Sequence, residues 1–227
     1  MKFLIDTFSP EKAAKILEYY PAEGVTTNPA IICRENAPVK STLLEMRRAV
    51  GGKMLHVQTL KTTAEDMVRE ALALRDFLSR TEGDFFVKLP ALPEGLKACR
   101  MLKKQGVGVT MTAVFSAAQA LLCARAGADF VAPFVNKLDD AADGEECVRS
   151  IVRIFREFGL SAKVLSASFR NVAQVTRVAL SGSDYITLPP EFFDRILNQT
   201  LTLNAIEGFE EGWREKFADM SPEDMIR

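Results

Sequence analysis

Eight short apolar runs separated by longer amphipathic stretches limit what this 227-residue chain can fold into. The runs cover residues 3–7, 24–28, 54–60, 84–89, 107–114, 129–135, 162–168 and 185–188. Each has the length and the aliphatic, β-branched content of a strand buried on both faces. Helical patterns lie between them, for example over 63–79, 91–105, 116–126, 145–158 and 172–181. Ser9-Pro10-Glu11 and Ser116 supply helix starts, and Gly106, Gly127, Gly159 and Gly182 supply stops. Strands that alternate with helices pair in parallel, and eight such units in this length predict a (β/α)₈ TIM barrel at the small end of its range. The rival, an open doubly wound sheet, wants a glycine-rich turn after its first strand. Asp6-Thr7-Phe8-Ser9-Pro10 is not one.

No Pro/Gly/Ser-rich linker interrupts the pattern, so residues 1–227 read as a single barrel domain with an additional C-terminal helix. After the eighth run, residues 189–198 supply a short helix and 201–217, with the only tryptophan, Trp213, a further one. A helix there is not needed to close the barrel. It could pack under its own barrel or reach a neighbouring subunit.

Charge excludes some partners. Twenty-nine Lys and Arg face 30 Asp and Glu, a net charge of −1, which gives no reason to expect nucleic acid or an anionic membrane surface. No apolar run approaches the length of a membrane span, and Asp6 comes too early for a signal-peptide core. Cys33, Cys99, Cys123 and Cys147 are scattered, without a CxxC pair, in a chain with one histidine. They read as reduced packing residues rather than metal ligands or disulfides, so the expectation is a cytoplasmic, metal-free protein.

One residue breaks the apolar rule of the strands. In Asp84-Phe85-Phe86-Val87-Lys88-Leu89-Pro90 a lysine sits near the end of a buried strand. Desolvation disfavours its ammonium form, and a neutral amine is a nucleophile able to condense with a carbonyl. Lys88 is therefore a Schiff-base candidate. Barrel chemistry sits at the C-terminal strand ends, and side chains two apart share a face. With Phe86 and Lys88 facing inward, the same parity gives Leu4 and Asp6, Thr26 and Asn28, His56 and Gln58. It also gives Thr110 and Thr112, Ala132 and Phe134, and Ser166 and Ser168.

Taken singly, each has an ordinary structural explanation. Asp6 and Asn28 could cap turns, the threonines are good strand formers, and His56 could be a satisfied core residue. Lys88 could snorkel to solvent. A ring of polar side chains around a lysine is a site.

Val25-Thr26-Thr27-Asn28-Pro29, Val87-Lys88-Leu89-Pro90, Thr62-Thr63-Ala64-Glu65, Ser116-Ala117-Ala118-Gln119-Ala120 and Ala132-Pro133-Phe134-Val135-Asn136 resemble the small transaldolases and fructose-6-phosphate aldolases. The likeness covers essentially the whole chain. It implies a class I, Schiff-base aldolase on a (β/α)₈ barrel with no metal or organic cofactor. It also implies a homo-pentamer or homo-decamer in which the terminal helix docks on a neighbour. Through it, Lys88 matches the Schiff-base lysine and Asp6 the carboxylate that handles the C4 hydroxyl proton. Asn28 matches a binder of the dihydroxyacetone hydroxyls, beside Thr26 on the same strand end. Gln58 and Thr112 match the pair holding a catalytic water. Ser168 and Arg170 match a phosphate-binding Ser-x-Arg/Lys element, and Lys137 stands where the family usually has a phosphate-contacting arginine. A lysine there keeps the charge and loses the bidentate fork.

The resemblance splits over the branch. Gln58 follows the aldolases, where transaldolases usually carry glutamate, and Thr110 and Ala132 lean the same way. Phe134 follows the transaldolases, where the aldolases usually carry a tyrosine. The expectation is an enzyme that releases or transfers the dihydroxyacetone unit of fructose 6-phosphate. The alternatives are the same chemistry on a sulfonated ketose, or a barrel that has lost catalysis.

Overall fold

Eight parallel strands close on themselves in chain order. They are β1 (Lys2–Asp6), β2 (Ala22–Thr26), β3 (Met54–Gln58), β4 (Phe85–Pro90), β5 (Gly108–Val114), β6 (Phe130–Pro133), β7 (Lys163–Ser166) and β8 (Tyr185–Leu188), with β8 paired back to β1. The computed structural model describes residues 1–78, 83–141 and 143–226. The fold is the predicted (β/α)₈ barrel.

The connections are α1 (Pro10–Tyr19), α2 (Pro29–Glu35), α3 (Val39–Val50), α4 (Ala64–Leu78), α5 (Pro93–Lys103), α6 (Ala117–Arg125), α7 (Val135–Ala141), α8 (Gly144–Glu157) and α9 (Val172–Leu180). They are followed by α10 (Pro190–Leu197) and α11 (Thr200–Phe217). α1 and α6 start where the sequence signals them, and α9 starts on a cap that the structure adds. Ser9 accepts from Lys12 N with Pro10 in the first turn, Ser116 accepts from Gln119 N, and Asn171 forms a capping box with Gln174. The helix expected over 63–79 is α4; Ser79 lies outside the described residues.

Most strands end earlier than their apolar runs suggest. β6 stops at Pro133, whose missing N–H cannot continue a ladder, and α7 begins two residues later inside the expected strand. α2 and α3 lie between β2 and β3, two helices where alternation calls for one.

Packing divides the chain into two compact units, Met1–Pro190 with the barrel and Glu191–Arg227. In the second unit α11 occupies the stretch expected to be helical, and none of its residues is buried.

Alternation along the strands builds two layers of the first unit. Ile5, Val25, Leu55, Val87, Val109, Val131, Val164 and Ile186 are buried on the helix side, each stabilising the fold by about 2 kcal/mol. Inside the barrel, Leu4, Phe130 and Leu165 form a core against which Met54, Phe86 and Tyr185 pack. Phe130 meets Phe86 and Tyr185 edge-on, with ring centroids 5.0 and 5.2 Å apart. These rings make a floor across the barrel below the strand ends.

Strand seven corrects the parity reading. Leu165, not Ser166, points into the barrel. Ser166 pairs with the outward Ile186, and its hydroxyl lies 2.9 Å from that of Ser183. Ser168 follows the strand in a left-handed conformation, φ 63°, so strand alternation does not set its direction.

Candidate active site

Lys88 turns inward. Its Nζ donates to the carbonyl oxygen of Thr27 at 2.8 Å, reaching across β3 to the end of β2, and the residue is only 6% exposed. In register it stands between Gln58 and Thr110, with Thr112 one step further along β5 opposite Pro90. Burial lowers the pKa of its ammonium, and the negative charge of Asp6 opposes that shift.

Asp6 is gripped from β2. Thr26 donates its hydroxyl proton to Oδ1 at 2.7 Å, and Asn28 Nδ2 approaches Oδ2 at 3.4 Å. The Asn28 amide cannot turn freely, because its Oδ1 caps α2 by accepting from Ile31 N at 3.0 Å. A structural cap and a polar contact at the site are thus one side chain. Burial raises the pKa of Asp6, while Lys88, Thr26, Arg34 and Asn28 pull it down. Burial therefore moves acid and amine toward their neutral forms, and each charge sustains the other.

His56 belongs to the floor. It is fully buried, stacks on Phe86 at 4.7 Å and meets Phe130 edge-on at 5.1 Å. Its Nδ1 lies 2.8 Å from Thr110 Oγ1, whereas Nε2 has no partner among the described residues. Burial first, then the charge of Lys88, lowers its pKa to about 3, so the ring is neutral at ordinary pH. The expected core histidine is only half satisfied. Thr112 Oγ1 is likewise buried without a partner among the described residues, and a buried hydroxyl in a polar site calls for one.

The residues expected to hold an anion gather where β6 and β7 end. Asn136 N donates to Ser168 O at 2.8 Å, which draws the start of α7, and with it Lys137, to the Ser168–Arg170 turn. Phe134 bridges to Ala167 in parallel fashion and packs edge-on against Phe115 at 5.7 Å. Lys137 and Arg170 are exposed. Arg170 Nη2 is engaged by Asp140 Oδ1 at 3.2 Å, and Arg170 N donates to Gln174 Oε1 at 2.6 Å. Among the described residues no three His, Cys, Asp or Glu side chains cluster closely enough to hold a metal ion.

Three participants carried little sequence signal. The Thr27 carbonyl is a backbone group. Asp140 lies on α7, between the expected strand that ends at 135 and the expected helix that begins at 145. Thr187, inward on β8, could have been found by counting two from Tyr185; its Oγ1 lies 2.6 Å from Thr26 Oγ1. The cysteines are free, and burial pushes the Cys99 and Cys123 thiols up to about 12, which leaves them unreactive packing groups.

Residues 3–225 match the model of a family described as transaldolase/fructose-6-phosphate aldolase. A protein of Symbiobacterium thermophilum described as "probable transaldolase" is 37% identical over 214 residues, covering 94% of this chain and 97% of its own. One from Brachyspira hyodysenteriae with the same description is 37% identical over 219 residues, covering 96% and 99%. Among solved structures, inosine 5′-monophosphate dehydrogenase from Legionella pneumophila superposes with a TM-score of 0.58 at 14% identity, over 83% of this chain and 58% of that one. That likeness concerns the barrel alone.

Proposed function

Since the chain belongs to the transaldolase/fructose-6-phosphate aldolase family, we propose that it cleaves a ketose phosphate such as fructose 6-phosphate through a Schiff base on Lys88. The observation that carries this reading is the Lys88 amine, buried and turned inward, in the field of the Asp6 carboxylate.

The neutral amine attacks the C2 carbonyl, and loss of water from the carbinolamine gives an iminium. The buried Thr112 hydroxyl and Gln58, beside Lys88 in register, would hold that water. Asp6 takes the C4 hydroxyl proton, the C3–C4 bond breaks as the aldehyde forms, and the bond electrons pass to C3 and into the iminium as an enamine. Thr26 and Asn28 orient the carboxylate, and Asn28 also faces the dihydroxyacetone hydroxyls. Lys137, Ser168 and Arg170 take the phosphate.

An aldehyde acceptor that captures the enamine makes the enzyme a transaldolase; protonation and hydrolysis make it an aldolase. Phe134 brings no hydroxyl to that choice, while Gln58, Thr110 and Ala132 follow the aldolase pattern.

Borohydride added with fructose 6-phosphate should attach the ketose irreversibly to Lys88, and mass spectrometry of the digested protein locates the adduct. A chain that stays unlabelled would contradict the reading. Release of dihydroxyacetone without an acceptor identifies an aldolase; dependence on erythrose 4-phosphate identifies a transaldolase.

The engaged Arg170 supports a second reading, the same chemistry on a sulfonated ketose. A cation already paired with Asp140 has less to offer a dianion, so a singly charged sulfonate loses less by comparison. Turnover of the two anions, compared directly, separates them.

The reading extends to assembly as a homo-pentamer or homo-decamer. Leu201, Leu203, Ile206 and Phe209 of α11 are 83%, 55%, 48% and 74% exposed, and a neighbouring copy would cover them. Native mass spectrometry showing a monomer at micromolar concentration would exclude it.

A further inference from the structure

Asp6 is the end of a chain of hydroxyls that begins on β8. Thr187, 4% exposed, and Thr26, 1% exposed, have their Oγ1 atoms 2.6 Å apart, and Thr26 donates to Asp6 Oδ1 at 2.7 Å. A hydroxyl has one proton. Thr26 commits its proton to Asp6, so Thr187 must be the donor to Thr26. The register puts Thr187 at that end of the barrel, because it pairs with Leu4, two residues before Asp6 on the same inward face.

The two carboxylate oxygens are consequently unequal. Oδ1 carries the short bond from Thr26; among the described residues Oδ2 has only the 3.4 Å approach of Asn28, whose amide is pinned by Ile31 N. Resting on the aldol reading above, we infer that Thr187 is a positioning residue for the reaction: its hydroxyl fixes the Thr26 proton on Oδ1 and leaves Oδ2 to take the proton from the C4 hydroxyl. Without Thr187 the Thr26 hydroxyl loses the donor that polarises it and stops its rotation. Proton abstraction then suffers, although the amine and its substrate contacts are unchanged.

The charged groups that act on Asp6 are Lys88 from β4 and Arg34 from α2. Thr187→Val alters neither, removes only the hydroxyl and nearly conserves volume. Its effect on the pH profile therefore reports on the relay. A weaker bond from Thr26 lets the carboxylate hold its proton to higher pH, so the acid limb of kcat/KM should move upward by about half a unit. We expect kcat for cleavage to fall about fivefold with KM changed less than twofold, and Thr187→Ser to restore both. In a Thr26→Val background Thr187→Val should add nothing, because its influence runs through Thr26.

The wild type is first trapped with borohydride and fructose 6-phosphate. No adduct on Lys88 overturns the aldol reading and this inference with it. An adduct in wild type and Thr187→Val alike, with unchanged cleavage rate and acid limb in the variant, overturns this inference alone. If Thr187→Val does not fold, Thr187→Ala removes the same hydroxyl and must show the same upward shift; an unshifted limb there counts equally against it.

Discussion

At the scale of single residues, the site is built from groups that the fold would rather not bury. The Lys88 pKa is lower in the folded chain than in the unfolded one. Between those two values the folded state holds fewer protons, so wild-type stability rises with pH across that window. Lys88→Met removes this slope along with activity. At neutral pH it should melt a few degrees higher than the wild type, the trade-off expected of a catalytic group; calorimetry at two pH values checks both.

His56 has the same sign at lower pH. Its pKa falls from 6.5 to about 3 on folding, so the stability it supports is complete above 6.5 and is lost as pH falls toward 3. The loss approaches roughly 4 kcal/mol. In His56→Phe the melting temperature should fall less steeply between pH 7 and pH 4 than in the wild type. Of these side chains, Lys88 and Asp6 were readable because a charge in an apolar strand is conspicuous. The half-satisfied ring was not, since sequence names a histidine without its partners.

At the scale of elements, strand termini and helix caps share residues. Asn28 both caps α2 and approaches Asp6, and substitution can divide the roles. Asn28→Ala should lose about 1 kcal/mol of stability with the cap. Asn28→Asp keeps the cap but brings a second negative charge to Asp6, so stability should largely survive while cleavage falls at least tenfold and its acid limb moves up. Chemical denaturation and a pH–rate profile read the two effects separately.

Gly95 in α5 lies so close to β4 that a methyl group there would run into the carbonyl oxygen of Pro90, two residues beyond Lys88. Gly95→Ala should destabilise by about 2 kcal/mol or more and weaken trapping of the ketose, because it pushes the strand end that presents the amine. Counting by twos gave Leu4, Thr26, His56, Lys88 and Thr110 their inward places, while Asn28 and Phe134, counted the same way, lie beyond the ends of β2 and β6. It failed on β7, where Leu165 and Ser166 are both credible inside a barrel and only the pairing of Leu165 with Tyr185 chooses between them. Alternation announces a helix between β2 and β3, and two stand there, α2 and α3. Leu43, Met46 and Val50 give α3 its helical period; what alternation leaves open is that the unit divides into two helices.

At the scale of the whole molecule, alternation of strand and helix was enough to specify the barrel, because eight parallel strands buried on both faces have few other ways to satisfy their edges. Assembly was not legible in the same way. The apolar residues of α11 fit an interior and an interface equally well in sequence, and in the structure they are exposed. Replacing Leu203 and Phe209 together by Glu should shift native mass spectra to smaller species, if α11 is a contact between copies, while the secondary structure seen by circular dichroism is retained.

The floor of rings under Lys88 closes the barrel from below, with His56 stacked on Phe86 and Phe130 meeting His56, Phe86 and Tyr185 edge-on. A well with a stopped bottom has a single doorway. On the proposed Schiff-base reading with a transaldolase outcome, the aldehyde cut from the donor would leave through that doorway before an acceptor enters, while the three-carbon fragment stays tethered inside. Traffic on that reading is one molecule at a time, and initial rates measured with donor and acceptor together should give the parallel double-reciprocal lines of a ping-pong scheme.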